Sequence, residues 1–330
     1  ANIGIDKSRI VYVGMDNSVS GKTVIDAGGL VVCPGFIDIH SHSDMSLPFD
    51  NRLESMVRQG VTTSVVGNCG SSLAPISDET VEIMQKEFDI FSPRGHNIGI
   101  PWHSFKEYLD AIECSHMSIN IATLVGYGTV RIAYGPSYED RAPTDREYAK
   151  MRRDVEEAMK SGAFGMSTGL FYAPQTFATT EEIIEVTKTV GEYNGLYASH
   201  IRSEGENVVQ AVEEFIQIVK ESGCRRGQIS HHKIAGKPFW GASIKTLKLI
   251  ADANKYGTII TCDQYPYNRG MTSLVAVLPP WVHEGGVENI LYHIDEPESR
   301  SEIESDIREG IDGWENIIKF DGWENIYIAS

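Results

Sequence analysis

With 330 residues, 41% of them hydrophobic, the chain can bury a large α/β core and a smaller second part. Its net charge of −17 argues against nucleic acid or an anionic membrane surface as a partner. No apolar run approaches the ~20 residues of a bilayer span, and Ala1-Asn2-Ile3-Gly4 has no signal-peptide character. Five cysteines (Cys33, Cys69, Cys114, Cys224 and Cys262) are widely spaced without a CxxC pair. That pattern predicts free thiols in a reducing cytoplasm; the oligomeric state is not legible.

Ile10–Gly14 and Lys22–Ile25 alternate around turn residues, which predicts short antiparallel strands beginning so near residue 1 that the chain reads as clipped there. The next strand runs from Val31 to Ile39, with a first boundary near residue 33. Arg52–Gln59 reads as a helix stopped by Gly60, which opens the strand Val61–Gly67. A helix at Thr80–Phe88 and a buried strand at Ser118–Leu124 follow. Thr144 with Glu147 forms a capping box for a helix reaching Lys160 and closed by Gly162, and Thr179 with Glu182 repeats the motif. Glu206–Glu221 and Ile244–Tyr256 are the next helices, the last one capped by Ser243. Seven strand candidates result: 31–40, 61–69, 118–125, 163–169, 195–200, 228–231 and 258–263. A helix–Gly–strand rhythm predicts parallel strands with crossover helices, one strand short of a closed (β/α)8 TIM-type barrel. After Leu278-Pro279-Pro280-Trp281 the rhythm stops, and 283–310 is acidic and helix-prone. The expected division is 1–33 as a small β part, 34–278 as an α/β barrel lacking its last strand, and 279–330 as an insertion or tail. The tail repeats Asp312-Gly313-Trp314-Glu315-Asn316-Ile317 as Asp321-Gly322-Trp323-Glu324-Asn325-Ile326, too briefly for a solenoid.

Several strands end in metal-binding residue types, where parallel sheets place ligands. His40 and His42 are two apart, so on a strand both imidazoles point to one face and can meet one ion; as loop residues they would be two surface histidines. Cys69 ends the next strand, ahead of Gly70, which permits close backbone approach. A lone cysteine is often a buried apolar thiol, but a thiolate is a strong zinc ligand. His200 and His231 end consecutive strands, the matching position expected of ligands. His232 points the other way on an extended chain and takes a packing role, whereas Lys233 shares the face of His231 and suits a substrate anion. The segment from Gly165 to Tyr172 has no lysine that could be carbamylated to bridge two ions, and a bridging thiolate from Cys69 could replace that group. His96, His103, His116, His283 and His293 receive no role.

The segment from Pro34 to His42 resembles the first-strand motif of the amidohydrolase superfamily. Within it, Val66-Gly67-Asn68-Cys69-Gly70, Ser167-Thr168-Gly169-Leu170 with Tyr172, His200-Ile201-Arg202-Ser203-Glu204-Gly205 and Ser230-His231-His232-Lys233 resemble the D-aminoacylases (N-acyl-D-amino-acid deacylases). The likeness spans about residues 8 to 280. It implies a metal-dependent (β/α)8 barrel with a small β-sandwich, of which residues 1–33 form part, in a chain truncated at both ends. It also implies a tight zinc on Cys69, His200 and His231, and a weaker second site at His40 and His42 with Cys69 between. Lys233 and Tyr265 would contact the carboxylate of an N-acyl-D-amino acid, and Tyr172 would line the pocket. The family's general acid/base aspartate would lie beyond Ser330. Met271 follows Gly270 where the family has serine, and the loop before His231 is one residue longer. The implied reaction is hydrolysis of the acyl-D-amino acid amide; the preference for D over L rests wholly on the resemblance. The alternatives are a cyclic-amide hydrolase, like a hydantoinase or dihydroorotase, and an inactive fragment that still binds metal.

Overall fold

The structure is a computed structural model that describes residues 1–91 and 99–328, so His96 and Ser330 lie outside the described residues. Contacts divide the chain into Ala1–Gly35 and Phe36–Ser330. The first unit holds an antiparallel pair, β1 (Asn2–Asp6) and β2 (Arg9–Gly14). The strand expected at Lys22–Ile25 is not formed, and Val31 is 92% exposed, so the strand expected from there starts only at Phe36. β-branched composition registers fitness for a half-buried pleated surface, and these residues meet none.

In the second unit the strands are β3 (Phe36–Asp38), β4 (Val61–Val66), β5 (Asn120–Thr123), β6 (Val125–Gly126), β7 (Gly165–Gly169), β8 (Leu196–His200), β9 (Arg226–Ile229) and β10 (Ile259–Cys262). β3, β4 and β5 pair in parallel, and β6 to β10 form a second parallel series in strict sequence order. β5 and β6 are one run of chain interrupted at Leu124, whose N–H donates to Val66 O at 2.9 Å. Seven runs therefore follow one another without reversal, the winding of a (β/α)8 barrel rather than of a doubly wound sheet.

The helices are α1 (Glu54–Val57), α2 (Val81–Phe91), α3 (Phe105–Cys114), α4 (Tyr127–Tyr134), α5 (Asp145–Ser161), α6 (Thr180–Glu192), α7 (Val208–Glu221), α8 (Ser243–Lys255), α9 (Val287–Asp295), α10 (Pro297–Glu309) and α11 (Ile317–Asp321). α5 to α8 pack each on the next, and the main core lies between them and the strands. There Met166, Tyr197, Ile229 and Ile260 meet Val155, Val186, Phe215 and Ile250. A smaller cluster of Val65, Ala122, Leu124 and Ala198 fills the other side of the strands.

Thr144 and Glu147 make both halves of the expected capping box, and Gly162 closes α5 at φ 119°. At α6 only half of the box forms. Thr179 Oγ1 accepts from Glu182 N at 3.2 Å, but the Glu182 carboxylate is committed to Arg131 and Tyr127. Ser243 lies inside α8 and caps nothing, because the helix starts one residue earlier than read, after Ala242. The acidic stretch after 283 is helical, with its own small core of Val282, Ile290 and Ile303. Among the described residues no helix is long and apolar enough to cross a membrane, and all five cysteines are free.

Candidate metal centre

His40 lies two residues after β3, Cys69 three after β4, His200 ends β8, His231 lies two after β9, and Asp263 directly follows β10. Parallel strands thus gather residues from 40 to 263 at one edge. Cys69 Sγ stands 3.5 Å from His40 Nε2 and 3.7 Å from His231 Nε2. The His231 ring is 4.5 Å from that of His200 and 4.9 Å from that of His40, centroid to centroid. The donor atoms of His40, Cys69 and His231 lie within 4.8 Å of one another, and so do those of His200, Glu204 and His231. His231 belongs to both groups.

Cys69 is held by its neighbours. Its backbone is left-handed at φ 54°, a region that costs a side-chain-bearing residue free energy. Gln175 Nε2 donates to Cys69 O at 3.1 Å, while Gln175 Oε1 accepts from Gly169 N at 2.7 Å. Ser167 Oγ accepts from Gly70 N at 2.9 Å, and Asp44 Oδ2 accepts from Gly67 N at 3.1 Å. Gly70 sits at φ 75°, where a Cβ would fall 1.9 Å from Gln175 Oε1, so only glycine lets the turn close. His231 is also left-handed, at φ 35°. The two residues that face each other across 3.7 Å are both strained, a pattern that concentrates at functional sites.

The sequence profile of the amidohydrolase family matches residues 23–254. The chain belongs to the amidohydrolase family. It is 42% identical to a D-aminoacylase of Alcaligenes xylosoxydans xylosoxydans over 274 residues, 83% of this chain and 55% of the relative. A crystal structure of a D-aminoacylase superimposes with a TM-score of 0.72 at 39% identity, covering 80% of this chain and 54% of that one. The N-acyl-D-glutamate deacylase of Bordetella bronchiseptica, solved with zinc and a phosphonate inhibitor, gives 0.70 at 32% identity over the same shares. The chain spans about half the length of these relatives.

The donor chemistry of this amidohydrolase fits a metal ion. Burial, with the neighbouring Glu204 and Asp263 charges, pushes the Cys69 thiol far above its ordinary range; a cation at the sulfur reverses that balance. Burial holds His200 down at about 3, against the pull of Glu204, so its imidazole stays neutral as a ligand must. His200 Nδ1 is buried and has no hydrogen-bond partner among the described residues, a cost that a ligand would remove. Thiolate and imidazole together suit zinc.

The other residues read from sequence fall into place unevenly. His40 and His42 do not lie on the strand as expected; His40 follows it in a bend and His42 immediately precedes the 3-10 turn Ser43–Met45. Their rings still meet edge to face at 5.5 Å, and burial with the adjacent His40 brings His42 down to about 4, but His42 is in neither donor group. His232 Nε2 packs on Thr246 Oγ1 at 2.9 Å, as expected of a residue outside the site. The expectation that the strand runs extended through His231 fails, because β9 stops at Ile229. Lys233 Nζ lies 2.5 Å from Glu204 Oε2 and 5.4 Å over the Tyr265 ring. Tyr172 packs against His200 at 4.8 Å and accepts from Thr272 Oγ1 at 3.0 Å.

Two carboxylates, Glu204 and Asp263, carry no assigned role in the sequence reading. Glu204 Oε1 is 2.8 Å from His231 Nδ1, and Oε2 is 3.8 Å from His200 Nε2. Asp263 Oδ1 accepts from His231 N at 2.7 Å and lies 3.8 Å from His40 Nδ1, while Oδ2 accepts from Gln228 Nε2 at 2.8 Å. The signal for Glu204 was its spacing, four residues after His200; for Asp263, its place at a strand end.

Proposed function

We propose that this chain carries the metal centre of an enzyme that hydrolyses N-acyl-D-amino acids to a carboxylate and a free D-amino acid. The single observation that carries the reading is Cys69 Sγ, buried and flanked at 3.5 and 3.7 Å by imidazole nitrogens from strands far apart in sequence. By the family resemblance Cys69, His200 and His231 would hold a tight zinc, and His40 and His42 a weaker second ion. The donor atoms within 4.8 Å of one another, by contrast, are those of His40, Cys69 and His231 and those of His200, Glu204 and His231, with His42 in neither group. Bound zinc polarises a carbonyl oxygen and brings the pKa of a water it carries from ~15.7 toward ~7. The chain's own residues supply orientation. Glu204 accepts at His231 Nδ1, so that Nε2 is the nitrogen left to face Cys69. Asp263 fixes the His231 backbone. Lys233 and Tyr265 form the corner that would grip the substrate carboxylate, and Tyr172 walls the site beside His200. Relatives at 35–42% identity are a D-aminoacylase, an N-acyl-D-aspartate deacylase and an N-acyl-D-glutamate deacylase, and on that ground the cyclic-amide alternative is set aside.

The test is a substrate panel on the intact gene product loaded with zinc. Release of free amino acid from N-acetyl-D-methionine, at least ~100-fold faster than from the L enantiomer, is the expected result. Turnover of hydantoin without turnover of the D-acyl substrate would overturn the reading.

A further inference from the structure

The first copy of the duplicated tail motif reaches back onto the site. Asn316 anchors it: Nδ2 donates to Ile307 O at 2.7 Å, and Oδ1 accepts from Lys319 N at 2.9 Å. Phe320, a few residues on, packs edge to face on Phe239 at 4.8 Å. That arrangement presents Glu315 to the loop between β8 and α7. Its Oε2 accepts from Ser203 Oγ at 2.6 Å, from Glu204 N at 2.5 Å and from Gly205 N at 3.0 Å. The carboxylate comes from 110 residues away and binds ahead of α7, whose N-cap Asn207 makes no side-chain cap of its own. Glu204 is in turn tied to the loop after β9, its carbonyl accepting from Ala235 N at 2.8 Å. The second copy does nothing comparable: Glu324 is exposed.

We propose that Glu315 is a positioning residue for the metal centre, gripping the Ser203–Gly205 backbone so that the Glu204 carboxylate stays against His231 Nδ1. Two carboxylates lie close together here, and the arrangement holds because each has its own donors. Glu315 has one hydroxyl and two amides, while Glu204 has His231 and Lys233. Without Glu315, the Glu204 backbone keeps only its carbonyl tie to Ala235, and the carboxylate that aims the His231 ring is held less firmly. The inference rests on the metal reading above.

The experiment compares wild type, Glu315→Ala, Glu315→Gln and Glu324→Ala as full chains, by zinc titration against a chelator and by hydrogen exchange of the metal-free protein. Glu315→Ala is expected to weaken zinc about 10- to 100-fold, the range for loss of an outer partner. It should speed exchange at the Glu204 and Gly205 amides while leaving the β7 and β8 amides protected. Glu315→Gln, which keeps one acceptor oxygen and the side-chain shape, should fall between, and it serves if the alanine variant does not fold. Glu324→Ala should match wild type in both. Unchanged exchange at residues 204 and 205, or faster exchange there with zinc affinity within twofold of wild type, would overturn the proposal. A wild-type chain that takes up no zinc removes the metal reading instead, and exchange at the two amides then decides whether Glu315 holds the loop.

Discussion

Replacing Glu182 with alanine is expected to cost about 3–5 kcal/mol of folding stability, a large share of the roughly 5–15 kcal/mol of an ordinary domain. Arg131 and Glu182 are 0% and 1% exposed at their side chains and form an ion pair inside the layer between α4 and α6. The pair has partners on several sides, although Arg131 Nε and Glu182 Oε2 are buried with no hydrogen-bond partner among the described residues. Tyr127 OH donates to Glu182, and Arg131 Nη2 donates to the carbonyls of Glu139 and Arg141 at 3.0 and 3.1 Å. Alanine would leave a guanidinium with no counter-charge and no route to water, and that stranded charge is what costs. Equilibrium unfolding in urea reads the loss. Removing both charges together, as Arg131→Met with Glu182→Leu, should recover most of it, because the desolvation cost goes with them. A loss below about 1 kcal/mol for the single alanine variant would show that Arg131 finds another partner.

Cys69→Ala should lower zinc affinity by more than about 100-fold, beyond the range seen when only an outer partner is removed. It is also expected to leave the metal-free fold nearly as stable as wild type. Both effects follow from one environment. The sulfur is buried among histidines and close to Glu204 and Asp263, so at neutral pH without a metal it is a protonated thiol, and its loss strands no charge. A zinc ligand must be the thiolate, so uptake of zinc by the wild type should release about one proton per ion at pH 7. A weakly buffered indicator dye reads that proton, and Cys69→Ala should not release it. Equal zinc affinity in the two proteins would mean that the ion sits elsewhere.

The elements that a periodicity argument can see were legible: all seven parallel strands of the second unit, the α5 capping box and the helical tail lie where the residue pattern puts them. Their ends were less so. The extended reading of Val31 to Phe36 failed because composition does not know whether a partner surface exists. The face arithmetic at His40–His42 and at His231 failed because those side chains sit just past the strands, in a bend, ahead of a 3-10 turn or at a left-handed φ, where alternation no longer applies. The structure brings Cys69 to His40 and His231, and His231 to His200, because each lies at or just past the end of a strand in one of the two parallel series. Glu204 is legible only as part of the segment His200 to Gly205, and Asp263 only as the residue at a strand end, and neither position by itself assigns a role. Glu315 lies 111 residues from Glu204, and nothing in its own motif points to that partner. Thr179 shows the reverse case: the box is present in sequence, but Arg131 and Tyr127 outbid the local backbone for its glutamate.

X-ray absorption at the zinc edge of the loaded chain bears most directly on the whole account. One sulfur at about 2.3 Å with imidazole nitrogens at about 2.0–2.1 Å is the predicted shell, the sulfur vanishing in Cys69→Ala. A shell of nitrogen and oxygen alone in the wild type, at full zinc occupancy, would contradict it.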